Sequence, residues 1–186
     1  MILPIYAYGQ PVLNKVGANI TAEYDGLQAL IADMWETMYK AKGVGLAAPQ
    51  VGLAIRLFVI DTIQIKDDEE VNDGFKKVFI NAQILQEDGD PFVYEEGCLS
   101  IPEIRGDVER PSNIRIKYCD ENFVEYEESY TGINARVIQH EYDHIEGKLF
   151  VDKLKPLKKR LIQRKLDAIR TGKLGASYKL KFAKFR

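Results

Sequence analysis

Both histidines of this 186-residue chain lie within five positions of each other, in the segment His140-Glu141-Tyr142-Asp143-His144. Apolar residues recur before them at helical spacing, which predicts a helix from Gly132 to Glu146 with Gly147 just past its end. Positions four apart share one face of a helix, so the two imidazoles can bind one metal ion. The alternative interpretation is a helix in which two polar residues happen to be histidines.

Glu141 follows the first histidine directly, so its carboxylate can reach a water molecule on the metal rather than the metal itself. A bound zinc ion lowers the pKa of water to about 7, which lets a carboxylate accept its proton at neutral pH. The segment therefore predicts a hydrolytic metal site with Glu141 as the proton acceptor.

A site with two histidines needs at least one more ligand. One class of metallopeptidase has a third histidine six residues after the second, but Phe150 occupies that position here. A glutamate ligand stays open in principle, because the chain has 28 acidic residues. We favour Cys98, which follows Gly97, because glycine permits close backbone approach and a metal deprotonates a coordinating thiol.

The second cysteine, Cys119, lies on a predicted strand, where a lone cysteine is usually a small buried hydrophobic residue. The competing interpretation is a closed structural zinc site made of both cysteines and both histidines. Structural sites usually pair cysteines two to four residues apart, whereas twenty residues separate Cys98 from Cys119. We therefore predict an open site with three protein ligands. Two cysteines also disfavour a disulfide-based scaffold.

The segment Gly43–Gln50 is rich in small residues and follows a helix predicted over Asp25–Lys42, with a left-handed cap expected at Gly43. It lacks the glycine spacing of a dinucleotide site and the lysine of a P-loop, so phosphate binding is not predicted. Small residues here would let the backbone of a substrate lie close to the chain. A simple connection between elements is the alternative interpretation.

Three segments, in this order, resemble the signature motifs of the peptide deformylase family: Gly43–Gln50, Glu96-Gly97-Cys98-Leu99-Ser100 and Gln139–His144. The resemblance covers roughly residues 1–155, including the Leu3-Pro4-Ile5 start. It implies a metal-dependent hydrolase that removes the N-formyl group from the initiator methionine of nascent polypeptides and releases formate.

The resemblance also implies the chemistry of the site. Cys98, His140 and His144 would hold the metal, and metal-bound water would attack the formyl carbon. Glu141 would act as general base and then as general acid toward the leaving amine. A cysteine and two histidines suit zinc by ligand softness, but the resemblance implies one iron(II) ion per chain. Zinc, nickel or cobalt could occupy the site in a purified sample, since iron(II) bound to a thiolate is readily oxidised.

Further roles follow from the resemblance for residues that face the substrate. The side-chain amide of Gln50 and the backbone N–H of Leu99 would stabilise the oxyanion, each at about 2.7–4 kcal/mol. Backbone groups of Val44 and Gly45 would pair with the substrate as an added strand. Gly97 would also lie at the substrate.

Three further residues are candidate substrate contacts with a second interpretation open. Arg105 would contact the substrate or form a surface salt bridge. Ile133 and Val137, two turns and one turn before the metal motif, would line an apolar pocket for the methionine side chain or belong to the ordinary core.

The near-neutral net charge of −2 conceals a basic C-terminal tail. Residues 153–186 contain 13 of the 26 basic residues and one of the 28 acidic residues, giving the tail +12 and residues 1–152 a charge of −14. A helix is predicted over Leu157–Arg170, and its apolar face comprises Leu161, Ile162, Leu166 and Ile169. The helix is interpreted either as a solvated helix docked on the body or as a contact with ribosomal RNA, since some family members contact the ribosome through a C-terminal helix.

A helix, several short strands and further helices predict an α+β fold. Together with the resemblance, this means antiparallel β-sheets surrounding a central metal-binding helix, with an N-terminal helix and a C-terminal helix and tail. Residues 1–152 are predicted as the catalytic domain, and residues 153–186 as part of the same single domain. Asp67–Gly74 is predicted as a solvated acidic loop. The predicted strands are Arg56–Asp61, Lys77–Ile84, Asn113–Cys119 and Phe123–Tyr130.

The chain begins without a basic, apolar export signal, so we expect a cytoplasmic protein with neither a membrane nor a DNA partner. Two alternatives to a deformylase stay open at this point. One is a metallopeptidase that cuts internal bonds, and the other is a ribosome- or RNA-binding protein stabilised by a structural metal. The second alternative requires Cys119 as a ligand and a dispensable Glu141.

Overall fold

A computed structural model describes residues 1–65 and 73–183, and within them three α-helices and nine strands confirm the predicted α+β class. The helices are α1 (Leu27–Lys40), α2 (Gly132–Ile145) and α3 (Pro156–Arg170). The strands are β1 (Ile5–Tyr6), β2 (Gly45–Ala47), β3 (Leu57–Asp61), β4 (Lys76–Asp88), β5 (Phe92–Cys98), β6 (Ile101–Arg110), β7 (Asn113–Cys119), β8 (Glu125–Thr131) and β9 (Leu180–Lys181). Most of the predicted acidic loop lies outside the described residues.

The main sheet has five antiparallel strands in the order β2-β3-β4-β7-β8, which leaves β2 at one edge. Strands β5 and β6 form a separate antiparallel hairpin. Strands β1 and β9 form a separate parallel pair that joins the N-terminal and C-terminal parts of the described chain. Helix α2 packs against β2, β3, β7 and β8, so one face of the helix is buried on the main sheet.

The sequence prediction found the strand at Asn113–Cys119 with its observed bounds but missed the β5–β6 hairpin. A signal for β6 was present in the sequence. Ile104, Gly106, Val108 and Arg110 are buried, and the charged residues between them are exposed. This alternation has the two-residue period of a strand with one buried face, but the charges and Gly106 mask it.

Helix α1 ends differently from the prediction, because the left-handed residue after it is Lys42, with φ of 58°, and not Gly43. The N–H of Gly43 closes the end of the helix by donating to the Met38 carbonyl at 2.9 Å. Gly43 is needed for another reason: a Cβ atom there would lie 2.7 Å from Cδ1 of Leu99. The glycine therefore permits a close approach between the two predicted motifs.

Helix α3 buries Ile162, Leu166 and Ile169 against a cluster that includes Ile104 of β6. Leu161 was predicted on this face but is 72% exposed. The three buried positions are four and three residues apart and define one stripe, and position 161 falls outside it. Helix α3 is therefore packed on the same cluster as β6.

No helix in residues 1–65 and 73–183 combines the length and the apolar character that crossing a bilayer requires.

Candidate metal centre

Three side chains that could hold a metal ion converge at the C-terminal half of α2. One ligand atom each from Cys98, His140 and His144 lies within 4.8 Å of the other two, and this is the one such group in the described parts of the chain. Sγ of Cys98 is 3.4 Å from Nε2 of His144. Metal–ligand bonds of about 2.0–2.3 Å at tetrahedral angles separate ligand atoms by about 3.5 Å. The donor set and spacing therefore fit a divalent ion.

The two histidines and the cysteine come from different elements. His140 and His144 lie one turn apart on α2. Cys98 is the last residue of β5, where the register with β6 shifts just before a two-residue turn formed by Leu99 and Ser100. Such a shift re-aims a side chain at the end of a hairpin. Cys119, by contrast, lies on β7 against the cluster of α1, β3 and β4, outside this group.

A buried ionic network supports the first histidine. Nδ1 of His140 is 3.8 Å from Oε2 of Glu96, and both Glu96 oxygens accept hydrogen bonds from Arg110, at 2.9 and 3.0 Å. Arg110 also donates to Oδ2 of Asp143 on α2 at 2.8 Å. Burial alone would raise the pKa of Glu96, but His140 and Arg110 hold it at about 2. The carboxylate therefore orients the imidazole, as carboxylates commonly do behind metal-binding histidines.

The second histidine is in a different electrostatic state. Burial, together with the positive charges of His140 and Arg110, lowers the pKa of His144 well below its ordinary value. His144 is therefore a neutral imidazole, the form that binds metals. In the metal-free protein, Cys98 and Glu96 outweigh burial and raise the pKa of His140, so metal binding at His140 releases a proton.

The Glu141 carboxylate is buried beside the ligand group and lies against Gly45 of β2. A Cβ atom at position 45 would be 2.5 Å from Oε1 of Glu141, so only glycine leaves room for the carboxylate. Oε2 of Glu141 is buried without a hydrogen-bond partner among the described residues. Burial, opposed in part by the neighbouring His140, raises the pKa of Glu141 to about 7. Its carboxyl can therefore both accept and donate a proton near neutral pH.

Gln50 faces the same centre from a short 3-10 segment, Ala48–Val51, that follows β2. Its Oε1 accepts the backbone N–H of Ala47 at 2.9 Å, which fixes the side-chain amide. Its Nε2 then points toward Sγ of Cys98 at 3.4 Å and Oγ of Ser100 at 3.2 Å. The amide N–H group is thus a buried donor directed at the metal centre.

A cavity of about 650 Å³ opens onto these groups. Its lining contains most of the residues that were predicted to face the substrate: Val44, Gly45, Gln50, Gly97, Leu99, Arg105 and Val137, together with Cys98, His140 and Glu141. Ile133 is half-buried and is not part of the lining described. Arg105 both lines the cavity and pairs with Glu95, its Nε lying 3.5 Å from Oε2.

The open edge of β2 runs along this cavity. The carbonyl of Val44 already accepts the N–H of Asp61 at 2.8 Å, so it points into the sheet. Backbone groups of alternate residues in a strand point to opposite sides. The N–H and carbonyl of Gly45 therefore point away from β3, toward the side on which an added strand could pair.

Sequence reasoning missed three residues near the centre. Glu96 and Arg110 form the buried network, and Tyr178 reaches the hairpin turn from the C-terminal segment. Glu96 lies inside a predicted motif, so its burial could have been suspected. Arg110 and Tyr178 carry no local signal, because the chain brings them to the centre only through tertiary packing.

Comparison with known proteins extends over nearly the whole chain. A model of the polypeptide deformylase family matches residues 2–160. The peptide deformylase of Flavobacterium johnsoniae is 57% identical over 190 residues, which cover 98% of this chain and 97% of that protein.

Solved structures agree with the sequence comparison. The peptide deformylase of Thermus thermophilus superposes with a TM-score of 0.82 at 35% identity, covering 92% of this chain and 99% of its own. That of Legionella pneumophila gives a TM-score of 0.80 at 38% identity, covering 93% of this chain and 98% of its own. The resemblance predicted from three short motifs is thereby confirmed, and the chain belongs to the polypeptide deformylase family.

Proposed function

We propose that this chain removes the N-formyl group from nascent polypeptides at a metal held by Cys98, His140 and His144. Membership of the family makes the chain a metal-dependent hydrolase that acts on formylated nascent peptides. It decides against both alternatives raised by the sequence, a peptidase that cuts internal bonds and a non-enzymatic RNA-binding protein. The roles of the individual residues are our proposal.

The metal is held by a thiolate and two imidazoles in the proposed site. A divalent ion bound there would supply Lewis-acid activation of water near neutral pH. We propose iron(II) as the ion in the cell, with zinc, nickel or cobalt able to replace it. The softness of the donor set supports a transition metal over magnesium or calcium, and metal analysis of protein purified without oxygen tests the choice.

Glu141 would accept the proton of the attacking water and then pass it to the leaving amine. In the metal-free protein burial raises the pKa of Glu141 to about 7, which supports a group that is both base and acid near neutral pH. The contact with Gly45 would hold the carboxylate at the edge of β2, where the substrate backbone would lie.

The oxyanion that forms at the formyl group would be stabilised by Nε2 of Gln50 and the backbone N–H of Leu99. Gln50 is 2% exposed and its amide is fixed by Ala47, so its N–H donor is already oriented before the substrate arrives. Preorganised donors of this kind avoid reorganisation during the reaction, and each contributes about 2.7–4 kcal/mol.

The substrate would lie along β2 with its backbone paired to Gly45, and its methionine side chain would enter the apolar part of the cavity near Val137. Gly97 and Arg105 would line the path of the following residues. The open edge at Gly45 supports the strand-like pairing. Ile133 stays a weaker candidate for the methionine pocket, since it is not part of the lining described.

The observation that carries the proposal is the convergence of three metal-binding side chains within 4.8 Å, beside the buried Glu141. The test is release of formate from a formyl-methionyl peptide by protein prepared without oxygen and loaded with iron(II). We expect turnover that is lost on chelation and restored by iron(II). Formate release no faster than with the metal-free protein would refute the proposal.

The basic tail supports a second part of the proposal, contact with the ribosome by a cytoplasmic enzyme. Six basic side chains of α3 are exposed: Lys158, Lys159, Arg160, Arg164, Lys165 and Arg170. Contacts between basic side chains and RNA phosphates weaken as the salt concentration rises, because the cations of the salt compete for the phosphates. Co-sedimentation with ribosomes that falls steeply with salt, and that is lost when Lys158 and Arg160 become glutamate, tests this contact.

A further inference from the structure

The chain does not end at α3 but returns to the metal centre. After α3, Gly172 turns the backbone with φ of 73°, and the N–H groups of Lys173 and Leu174 both donate to the Ala168 carbonyl, at 2.8 and 3.1 Å. Residues 175–178 then line the cavity described above. The segment 171–183, which we call the returning segment, therefore supplies one wall of that cavity.

The far end of the returning segment is fixed to the N-terminal part of the chain. Strand β9 pairs with β1, and the N–H of Ile5 donates to the Lys179 carbonyl at 2.9 Å. Nε2 of Gln10 donates to the Phe182 carbonyl at 2.8 Å. Nζ of Lys181 donates to the hydroxyl of Tyr6 at 2.8 Å. The segment is thus anchored on both sides of the stretch that lines the cavity.

Tyr178 connects this wall to the hairpin turn that carries a metal ligand. Its hydroxyl donates to the Leu99 carbonyl at 2.7 Å across 79 positions of sequence, and its ring is half-buried beside Leu99. The Leu99 side chain rests over Gly43, and the next carbonyl, that of Ser100, accepts the N–H of Tyr8 at 2.8 Å. Both carbonyls of the two-residue turn are therefore held by hydrogen bonds from distant segments.

We propose that Tyr178 is a positioning residue for the reaction, because its hydroxyl fixes the peptide plane that follows Leu99. Holding that plane restricts the backbone torsions of Leu99, so the N–H that is proposed to face the oxyanion stays where the turn places it. A preformed donor stabilises the oxyanion less well if the turn can rotate. Misplacement of a catalytic group lowers the rate more than it lowers substrate binding. This proposal rests on the deformylase function proposed above.

The test compares two substitutions that each remove one tyrosine hydroxyl from the contacts of the returning segment. Tyr178→Phe removes the donor to Leu99, and Tyr6→Phe removes an anchor of the same segment, on Lys181, that does not reach the turn. For Tyr178→Phe we expect kcat to fall about fivefold with KM within about twofold, the effect of one lost hydrogen bond. Tyr6→Phe should retain the activity of the unaltered chain, and all three proteins should bind equal amounts of metal.

Amide hydrogen exchange of the zinc-loaded proteins gives a readout independent of turnover. The N–H of Tyr8 donates to the Ser100 carbonyl at 2.8 Å, so its exchange reports on the order of the turn. We expect exchange at Tyr8 to accelerate in Tyr178→Phe and to stay unchanged in Tyr6→Phe. Equal loss of kcat in both variants would mean that Tyr178 acts only as one of several anchors of the returning segment, which would overturn the proposal. So would unchanged kcat in Tyr178→Phe, or a rise in KM alone, which would make the hydroxyl a substrate contact. An unaltered chain without formate release would refute the proposed function instead, and the exchange data would still decide the role of Tyr178.

Discussion

Gly45 and Glu141 occupy adjoining space, so that a Cβ atom at residue 45 would lie 2.5 Å from Oε1 of Glu141. Gly45 does not have a positive φ, so alanine is compatible with its backbone, and the clash with the carboxylate is the main consequence of Gly45→Ala. We expect kcat to fall up to about 100-fold because the carboxylate is displaced, while metal content is unchanged. In a Glu141→Gln background the same change should add almost nothing to the loss. Additive losses would mean that Gly45 acts by another route.

Replacing Glu141 with glutamine should reduce turnover to a small residual rate and leave the metal bound, because glutamine can neither accept nor donate the proton. Formate release and metal analysis measure the two effects. Glu109→Gln, which changes an exposed carboxylate on β6, is the matched control and should keep full activity. Turnover by Glu141→Gln near that of the control would contradict the role proposed for Glu141.

The same substitution should stabilise the metal-free protein in a pH-dependent way. The pKa of Glu141 is raised from 4.5 to about 7, so the unfolded chain loses this proton before the folded protein does. The free energy of unfolding therefore falls as pH rises from about 4.5 to about 7. At about 1.36 kcal/mol per pKa unit, Glu141→Gln should gain about 3 kcal/mol at pH 8 and little at pH 4.5. Urea unfolding at both pH values measures the gain, and a gain that is equal at the two would contradict it.

The two cysteines should differ sharply in metal binding. Cys98→Ala removes one of three convergent ligands, so we expect the purified protein to contain well below one metal ion per chain and to lack activity. Cys119→Ser is the matched control, because Cys119 lies on β7 away from the ligand group, and it should retain the metal. Loss of metal from Cys119→Ser with retention in Cys98→Ala would reverse the assignment.

Replacing Arg110 should lower the free energy of unfolding more than replacing Arg115, because Arg110 is buried and Arg115 is at the surface. Arg110 is 5% exposed and donates hydrogen bonds to Glu96 and Asp143. Arg110→Ala removes those bonds and leaves the two buried carboxylates with the more distant cations Arg136 and Lys153, at 3.9 and 3.8 Å. We expect a loss of about 3–5 kcal/mol in the free energy of unfolding. Arg115 pairs with Glu127 at the surface, and Arg115→Ala should cost at most about 0.5–1 kcal/mol. Equal losses in urea unfolding would contradict this difference.

The pH dependence of the free energy of unfolding of Arg110→Ala is a second test of the same ionic network. The pKa of Glu96 is about 2 in the folded protein, so its contribution to stability is present above pH 4.5 and is lost as pH falls toward 2. Without Arg110 the pKa of Glu96 is lowered less, so the contribution of Glu96 to the free energy of unfolding is smaller. The difference in stability between the unaltered chain and Arg110→Ala should therefore narrow as the pH is lowered below about 4.5.

The sequence by itself determined the helix that carries the metal motif and the identity of the candidate ligands. His140 and His144 are four residues apart on α2, so their shared face follows from helix geometry alone. With only two cysteines and two histidines in the chain, few combinations of soft ligands were available. Three motifs in order were enough to identify the family, because each is a contiguous segment whose chemistry can be recognised without its surroundings.

Only the tertiary structure decided what surrounds those motifs. The close approach of Gly45 to Glu141, the network of Arg110 and the hydrogen bond from Tyr178 to Leu99 all join residues that are far apart in sequence. No periodicity or local spacing encodes such contacts, since they depend on how sheets, helices and the returning segment pack together. The sequence named the groups that can bind the metal and move the proton, whereas packing set their burial, their pKa values and the space left for a substrate.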